Sequence, residues 1–107
     1  MQTIYIGQSY EVRVTTYDPE TLQPKDPTTI ALSTYHKVSG VWTAIETDLS
    51  FDYSDGTGIK KRYHYFNPAT YTLEEIIRLV VRWTIWINLG TTVYDLDIID
   101  VEQKKAI

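Results

Sequence analysis

The run Arg78-Leu-Val-Val-Arg82-Trp-Thr-Ile-Trp86-Ile-Asn88-Leu-Gly-Thr-Thr-Val-Tyr94-Asp-Leu-Asp-Ile-Ile-Asp100-Val101 decides the fold. Two stretches rich in β-branched and aromatic side chains flank Asn88-Leu89-Gly90-Thr91, so the run predicts an antiparallel hairpin. Because successive strand residues point to opposite faces, Leu79, Val81, Trp83, Ile85 and Ile87 share a wholly apolar face. Val80, Arg82, Thr84, Trp86 and Asn88 share the other. In the returning stretch Tyr94, Leu96 and Ile98 alternate with Asp95, Asp97 and Ile99, which predicts one wet face for most of its length. A hairpin of this kind supplies half a core and requires a second layer to cover its apolar side. Trp83 is expected as a core anchor, and Trp86, beside Arg82 on the mixed face, as a rim residue or one covered by another subunit.

Working outward, 107 residues read as a single domain over 1–107, large enough for one modest core without metal or disulfide staples. A hydrophobic share of 43% excludes a disordered chain, and nine tyrosines, three tryptophans and two phenylalanines favour strands and contact surfaces. The sequence contains no cysteine, which excludes a disulfide framework, a thiolate zinc site and a cysteine nucleophile. No apolar run reaches the roughly 18 residues of a membrane helix, and Met1–Gly7 lacks the pattern of a signal peptide. Synthesis in the cytosol and no membrane partner are the resulting expectations. A net charge of −4 argues against a general nucleic-acid binder, which needs a concentrated basic face.

Residues 3–7 form a short apolar opening, and Ser9 to Tyr17 alternates Tyr10, Val12, Val14 and Thr16 against Glu11, Arg13 and Thr15, a half-buried strand. Three prolines between Asp18 and Pro27 mark a loop. Thr28 to Lys37 is a strand with Ile30, Leu32 and Thr34 on one side; Ser39-Gly40 is a turn; Val41 to Glu46 is a short strand carrying Trp42. Asp52 to Gly58 is expected as a turn or loop. Lys60 to Phe66 sets Lys61, Tyr63 and Tyr65 against Lys60, Arg62, His64 and Phe66, with one exposed basic face. Asn67-Pro68 stops the rhythm, and Thr72-Leu73-Glu74-Glu75 fits a capping box, predicting a short helical insertion near residues 72–77, with a loop as the competing reading. Residues 104–107 are expected as a frayed tail.

About seven short strands, separated by turns every 8–12 residues or so, predict an antiparallel β-sandwich or small barrel. The ordering Tyr5-Ile-Gly-Gln-Ser9, Lys25-Asp-Pro-Thr-Thr-Ile-Ala-Leu-Ser33, Arg82-Trp-Thr-Ile85 and a closing Asp100-Val-Glu102 resembles small immunoglobulin-like domains of tailed-bacteriophage virion proteins. The resemblance implies an immunoglobulin-like sandwich and a structural role in the particle, as a capsid-decorating or head-to-tail connecting subunit. Its partners would be capsid or tail and connector subunits and copies of itself. The chain departs from the antibody-type pattern in having no cysteine pair and in the insertion at Asn67–Glu75.

Chemistry-bearing constellations are few, and none implies an enzyme or a cofactor. His36 and His64 each lie in a strand beside aromatic residues, as surface or edge histidines do. Glu74-Glu75 point in different directions as strand or helix neighbours, and capping accounts for Glu75. Asp95, Asp97, Asp100 and Glu102 have oxygen ligands for calcium but no glycine-containing loop to wrap an ion, so a solvated face is preferred. Asp52–Gly56 lacks the later bidentate acid of an EF-hand, and Gly56-Thr57-Gly58 lacks the Gly-Lys-Ser/Thr of a phosphate loop. Lys60, Lys61 and Arg62, interleaved with tyrosines, have the residue types of a single-strand nucleic-acid groove, but a charged strand edge explains them as well. The interface candidates are therefore Trp86 and Arg82, the basic Lys60, Lys61 and Arg62, and the acidic Asp95, Asp97, Asp100 and Glu102. Unlike patches meeting between copies would give head-to-tail assembly. The alternative is a ligand-binding module that stacks a glycan on exposed aromatics.

Overall fold

The computed structural model describes residues 2–18, 20–71, 76–87 and 91–104, with side chains for 3–18, 20–71 and 76–85. Eight strands carry the chain: β1 Gln2–Tyr5, β2 Ser9–Thr15, β3 Thr29–Val38, β4 Val41–Leu49, β5 Tyr53–Gly56, β6 Ile59–Tyr65, β7 Ile76–Ile87 and β8 Thr91–Lys104. They form a five-stranded sheet in the order β1-β8-β7-β3-β4 and a three-stranded sheet in the order β2-β6-β5. The protein is thus a mainly β, two-sheet sandwich. In immunoglobulin terms β2, β6 and β5 stand where strands B, E and D stand, and β3, β7 and β8 where C, F and G stand, with β4 as C′.

The long hairpin is present: β7 and β8 pair without interruption from Ile76↔Glu102 to Ile87↔Thr91. Its apolar face points inward, with Ile77, Leu79, Val81 and Ile85 buried. β3 pairs along the other side of β7 and adds Leu32 and Thr34, while β2 in the opposing sheet contributes Val12 and Val14, followed by Thr16 just past its end. These are the faces that alternation predicts. Trp83, expected as the anchor, is only partly buried and packs against the core from its margin. Among the described residues the most enclosed aromatic is Phe66, which meets Tyr71 at 4.9 Å, His64 at 4.8 Å and Tyr10 at 6.5 Å in edge-on contacts.

Several expectations are corrected. The sandwich is not wholly antiparallel, because β1 runs parallel to β8 from Gln2↔Val101 to Tyr5↔Lys104. The turn after β1, with Gly7 at φ 91°, carries the chain from one sheet to the other, so β1 cannot form a hairpin with β2 and instead docks beside the far end of the chain. Lys104 is consequently paired rather than frayed. The expected loop at 52–58 contains β5, and only Thr57-Gly58 turns. β4 continues three residues past Glu46, to Leu49. The helical insertion near 72–77 does not extend to Ile76 and Ile77, which are already strand; the Thr72–Glu75 capping motif lies outside the described residues. A helix-like turn stands upstream instead: the Thr70 and Tyr71 amides donate to the Asn67 carbonyl, and Asn67 Oδ1 accepts from the Ala69 amide at 2.9 Å. Asparagine closes such a turn with its own side chain, which accounts for the break in strand rhythm at Asn67.

The loop after β2 is pinned to the β5–β6 turn. Thr16 Oγ1 donates to the Lys25 carbonyl at 2.6 Å, the Thr16 amide donates to the Gly58 carbonyl, and the Gly58 amide donates to Asp26 Oδ1 at 2.7 Å. Gly58 has φ +74°, and a Cβ there would lie 2.7 Å from the Thr16 carbonyl oxygen and 2.8 Å from the Lys25 nitrogen. Both the backbone angle and the backbone contacts therefore exclude a side chain.

Two stability measurements follow from this packing. Phe66→Ala is expected to cost about 3–5 kcal/mol in urea denaturation and Trp83→Ala clearly less; the reverse ranking would contradict the placement of the core. Gly58→Ala is expected to destabilise by at least about 1–3 kcal/mol through strain, whereas Gly40→Ala, which meets no atom within 4 Å, suffers only from its φ of +80° and should cost less.

Candidate functional site

Among the described residues, a connected polar group bridges the two sheets. His64 on β6 is buried, and its neighbour Arg62 places Nε 3.3 Å from His64 Nδ1. A guanidinium can only donate, so Nδ1 carries the lone pair and Nε2 carries the proton. That proton faces Glu46 Oε1 at 3.0 Å, with the Tyr71 hydroxyl at 3.2 Å. Tyr71 donates to the same Glu46 oxygen at 2.5 Å. Thr34 completes the set, accepting from the Glu46 amide at 3.2 Å and donating to the Tyr71 oxygen at 2.9 Å. Arg62 Nη1 in turn donates to the Ser50 carbonyl at 2.9 Å.

Burial holds the His64 pKa below the usual histidine value, with the Arg62 charge acting in the same direction and Glu46 opposing both. Burial, then the Glu46 carboxylate, pushes Tyr71 well above the usual phenol value. A neutral His64 and a protonated Tyr71 agree with the donor directions read from the geometry. Both imidazole nitrogens are engaged by side chains of the chain itself, so the group joins the two sheets. Among the described residues no cluster of three or more His, Cys, Asp or Glu could hold a metal ion.

The second feature is the outer face of the three-stranded sheet. Tyr53, Tyr63 and Tyr65 are each about half exposed there, and Tyr53 meets Tyr63 edge-on at 5.5 Å. Asp55 ties this face together, accepting Arg13 Nη2 at 3.0 Å and Lys61 Nζ at 3.2 Å, while Lys61 Nζ also lies 5.4 Å from the Tyr63 ring centroid. Cross-strand pairing sets Glu11 opposite Tyr63 and Ser9 opposite Tyr65. The result is a tyrosine surface with a rim of mutually paired charges, suited to stacking against another apolar or sugar surface.

The outer face of the five-stranded sheet holds a depression of about 250 Å³ lined by Tyr35, Ser33, Asp48, Val80 and Arg82, among others. Nearby, the Arg78 guanidinium sits 4.2 Å from the Trp42 ring centroid and Lys37 Nζ 5.2 Å from it. Arg82 thus lies on an outer face, as alternation predicts, and pairs through its backbone with Ala31 and Leu96.

Lys60, Lys61 and Arg62 are neighbours on β6 but do not act as one basic patch. Lys60 reaches Asp26 at 3.7 Å on the inner side, Lys61 reaches Asp55 on the outer side, and Arg62 is held by His64 and Ser50. The acidic candidates are strung along β8 in the other sheet: Asp95 pairs with Trp83, Asp97 with Val81, Asp100 with Arg78 and Glu102 with both Ile76 and Thr3. Their side chains, and that of Trp86, lie outside the described residues. Glu46, Tyr71, Thr34, Asp55 and Tyr53 were not legible as partners in the sequence, because 18 residues separate Glu46 from His64 and 37 separate Thr34 from Tyr71.

A pH titration tests the buried group. In the unfolded chain His64 takes a proton near the ordinary value of 6.5, while the folded site resists it. The unfolded state therefore binds more protons as pH falls through 6.5, and the contribution of the neutral site, complete above that value, is lost towards the lower folded pKa. Urea midpoints should fall from pH 8 to pH 5 in the native chain and fall less steeply in His64→Gln, since His36 is common to both. Equal slopes would contradict the neutral, occupied His64.

No protein-family model matches this chain, and no curated protein matches it.

Proposed function

We propose that this chain is a small structural subunit of a tailed-phage particle, a capsid-decorating or head-to-tail connecting protein that works through protein contacts rather than chemistry. The observation that carries the reading is how the three-stranded sheet disposes of its ionisable groups. Arg13, Lys61 and Asp55 are tied to one another, His64, Arg62 and Glu46 are tied across the interior, and tyrosine makes up much of the exposed outer surface. A face of this composition is suited to adhesion: large rings cover area at low entropic cost, and the paired charges fix orientation. The phage assignment itself rests on the resembling segments. Of these, 82–85 lie in β7 and 100–102 in β8, while 5–9 span the turn between β1 and β2 and 25–28 precede β3. Internal engagement of Lys60, Lys61 and Arg62 also favours a protein partner over nucleic acid.

One observation favours a second reading. The exposed Tyr53–Tyr63 pair, rimmed by Glu11, Arg13 and Asp55, also has the elements of a sugar-stacking platform. Mass spectrometry of particles purified from cells producing both the phage and the chain separates the two. Fixed-copy incorporation, reduced more than about tenfold by the double change Tyr53→Ala and Tyr63→Ala with an unchanged melting temperature, is expected, because central aromatic contacts commonly contribute 2 kcal/mol or more. Absence from particles, together with tyrosine-dependent retention on immobilised polysaccharide, would replace the first reading with the second.

A further inference from the structure

We infer that two copies of this chain pair edge to edge through β2, antiparallel and centred on Val12, to make one six-stranded sheet. The inference stands on the backbone and charge pattern of β2 and is independent of the body the protein serves. β2 ends the order β2-β6-β5, so one side of it has no strand neighbour among the described residues. The other sheet edges are blunted. β1 and β5 have only four residues each, β5 is broken by a register shift at Ser54/Gly56, and the pairing of β4 is shifted twice between Leu32 and Tyr35 of its partner. Asp48, near the end of β4, has φ +56°. β2 has none of these devices: seven residues pair in unbroken register, with no proline or glycine. Natural sheets rarely leave so regular an edge uncovered.

The hydrogen-bond parity of β2 fixes which groups are offered. Gln8 accepts from Phe66 and Thr16 donates to Gly58 across the ladder to β6, and the pairing between them is regular. The even-numbered residues Tyr10, Val12 and Val14 therefore bond towards β6, and Ser9, Glu11, Arg13 and Thr15 direct their amides and carbonyls to the open edge. Two antiparallel copies must join odd residues to odd residues. Centring on Glu11 would set Glu11 against its own copy, and centring on Arg13 would set Arg13 against its own copy. Centring on Val12 pairs Glu11 with Arg13 twice and Ser9 with Thr15 twice, using the whole strand. Only this last register replaces like-charge pairs with opposite ones, and cross-strand charges of opposite sign stabilise while like charges oppose pairing. The same register puts the partly exposed Tyr10 beside Val14 of the copy on the inner face. Arg13 would then lie between Asp55 of its own chain, already at 3.0 Å, and Glu11 of the other. The loop that binds Thr16 through Lys25 begins where this pairing ends. A two-fold pair closes on itself, unlike the head-to-tail chain that opposite patches on separate sheets would give.

Sedimentation velocity and amide exchange test the pairing. The native chain is expected to sediment at twice the chain mass, with the amides of Ser9, Glu11, Arg13 and Thr15 protected from exchange only at concentrations where the dimer forms. The Glu11→Arg chain and the Arg13→Glu chain should each sediment as a monomer, and mixing the two should restore a dimer, because Arg then faces Glu at both positions. Glu11→Pro, which removes one outward amide and no bond to β6, should also give a folded monomer by circular dichroism. A native chain that stays monomeric at all accessible concentrations overturns the proposal. So does a dimer whose four edge amides remain unprotected, a measurement that needs no variant to fold.

Discussion

Closure of the two sheets over a shared interior is the constraint on which the remaining features depend. Each sheet has one apolar face, and neither face is stable in water alone. Phe66, at the end of β6, sits where the inner faces meet, with Tyr71, His64 and Tyr10 packed around its edges. With no cysteine in the sequence, no disulfide can join the sheets, and the junction is made by aromatic contact and a polar group. Burial of a polar group costs free energy unless its hydrogen bonds are made, and here Arg62, His64, Glu46, Tyr71 and Thr34 satisfy one another in a directed series. That series connects β6 and the following turn in one layer to β3 and β4 in the other, so it fixes relative position as well as contact.

The same arrangement shapes the surface. A basic run on one strand becomes three separate contacts because alternation sends Lys61 outward while Lys60 and Arg62 go inward, each to a different acceptor. Neutralising those charges in pairs within the chain leaves tyrosine prominent on the outer face of the smaller sheet. Exposed rings with hydroxyl tips tolerate water and still offer area to a partner, so such a face is compatible with a soluble chain and with adhesion. On the larger sheet Trp42 is treated differently, covered by Arg78 and approached by Lys37. The two outer faces therefore present distinct chemistry to the surroundings, tyrosine on one and cation-shielded tryptophan beside a polar depression on the other.

The sequence by itself determined most of the strands, the inward residues of β2 and β3, those of β7 at Leu79, Val81 and Ile85, and the central hairpin, because a period of two is a local property of the backbone that hydrophobic side chains record directly. It also determined the tight turn at Ser39-Gly40, where both residues adopt positive φ. What only the tertiary structure decided is everything that joins residues far apart in the chain. The short strand Tyr53–Gly56 read as a loop because its pairing depends on β6, not on its own composition. β1 runs parallel to β8 because the turn at Gly7 moves it to the other sheet, which no local pattern states. Trp83 shares the apolar face but yields the centre to Phe66, since burial depth depends on the opposing sheet rather than on alternation. Glu46, His64 and Tyr71 each look ordinary in sequence; they become one polar group only when closure of the sandwich brings three separated segments within hydrogen-bond distance.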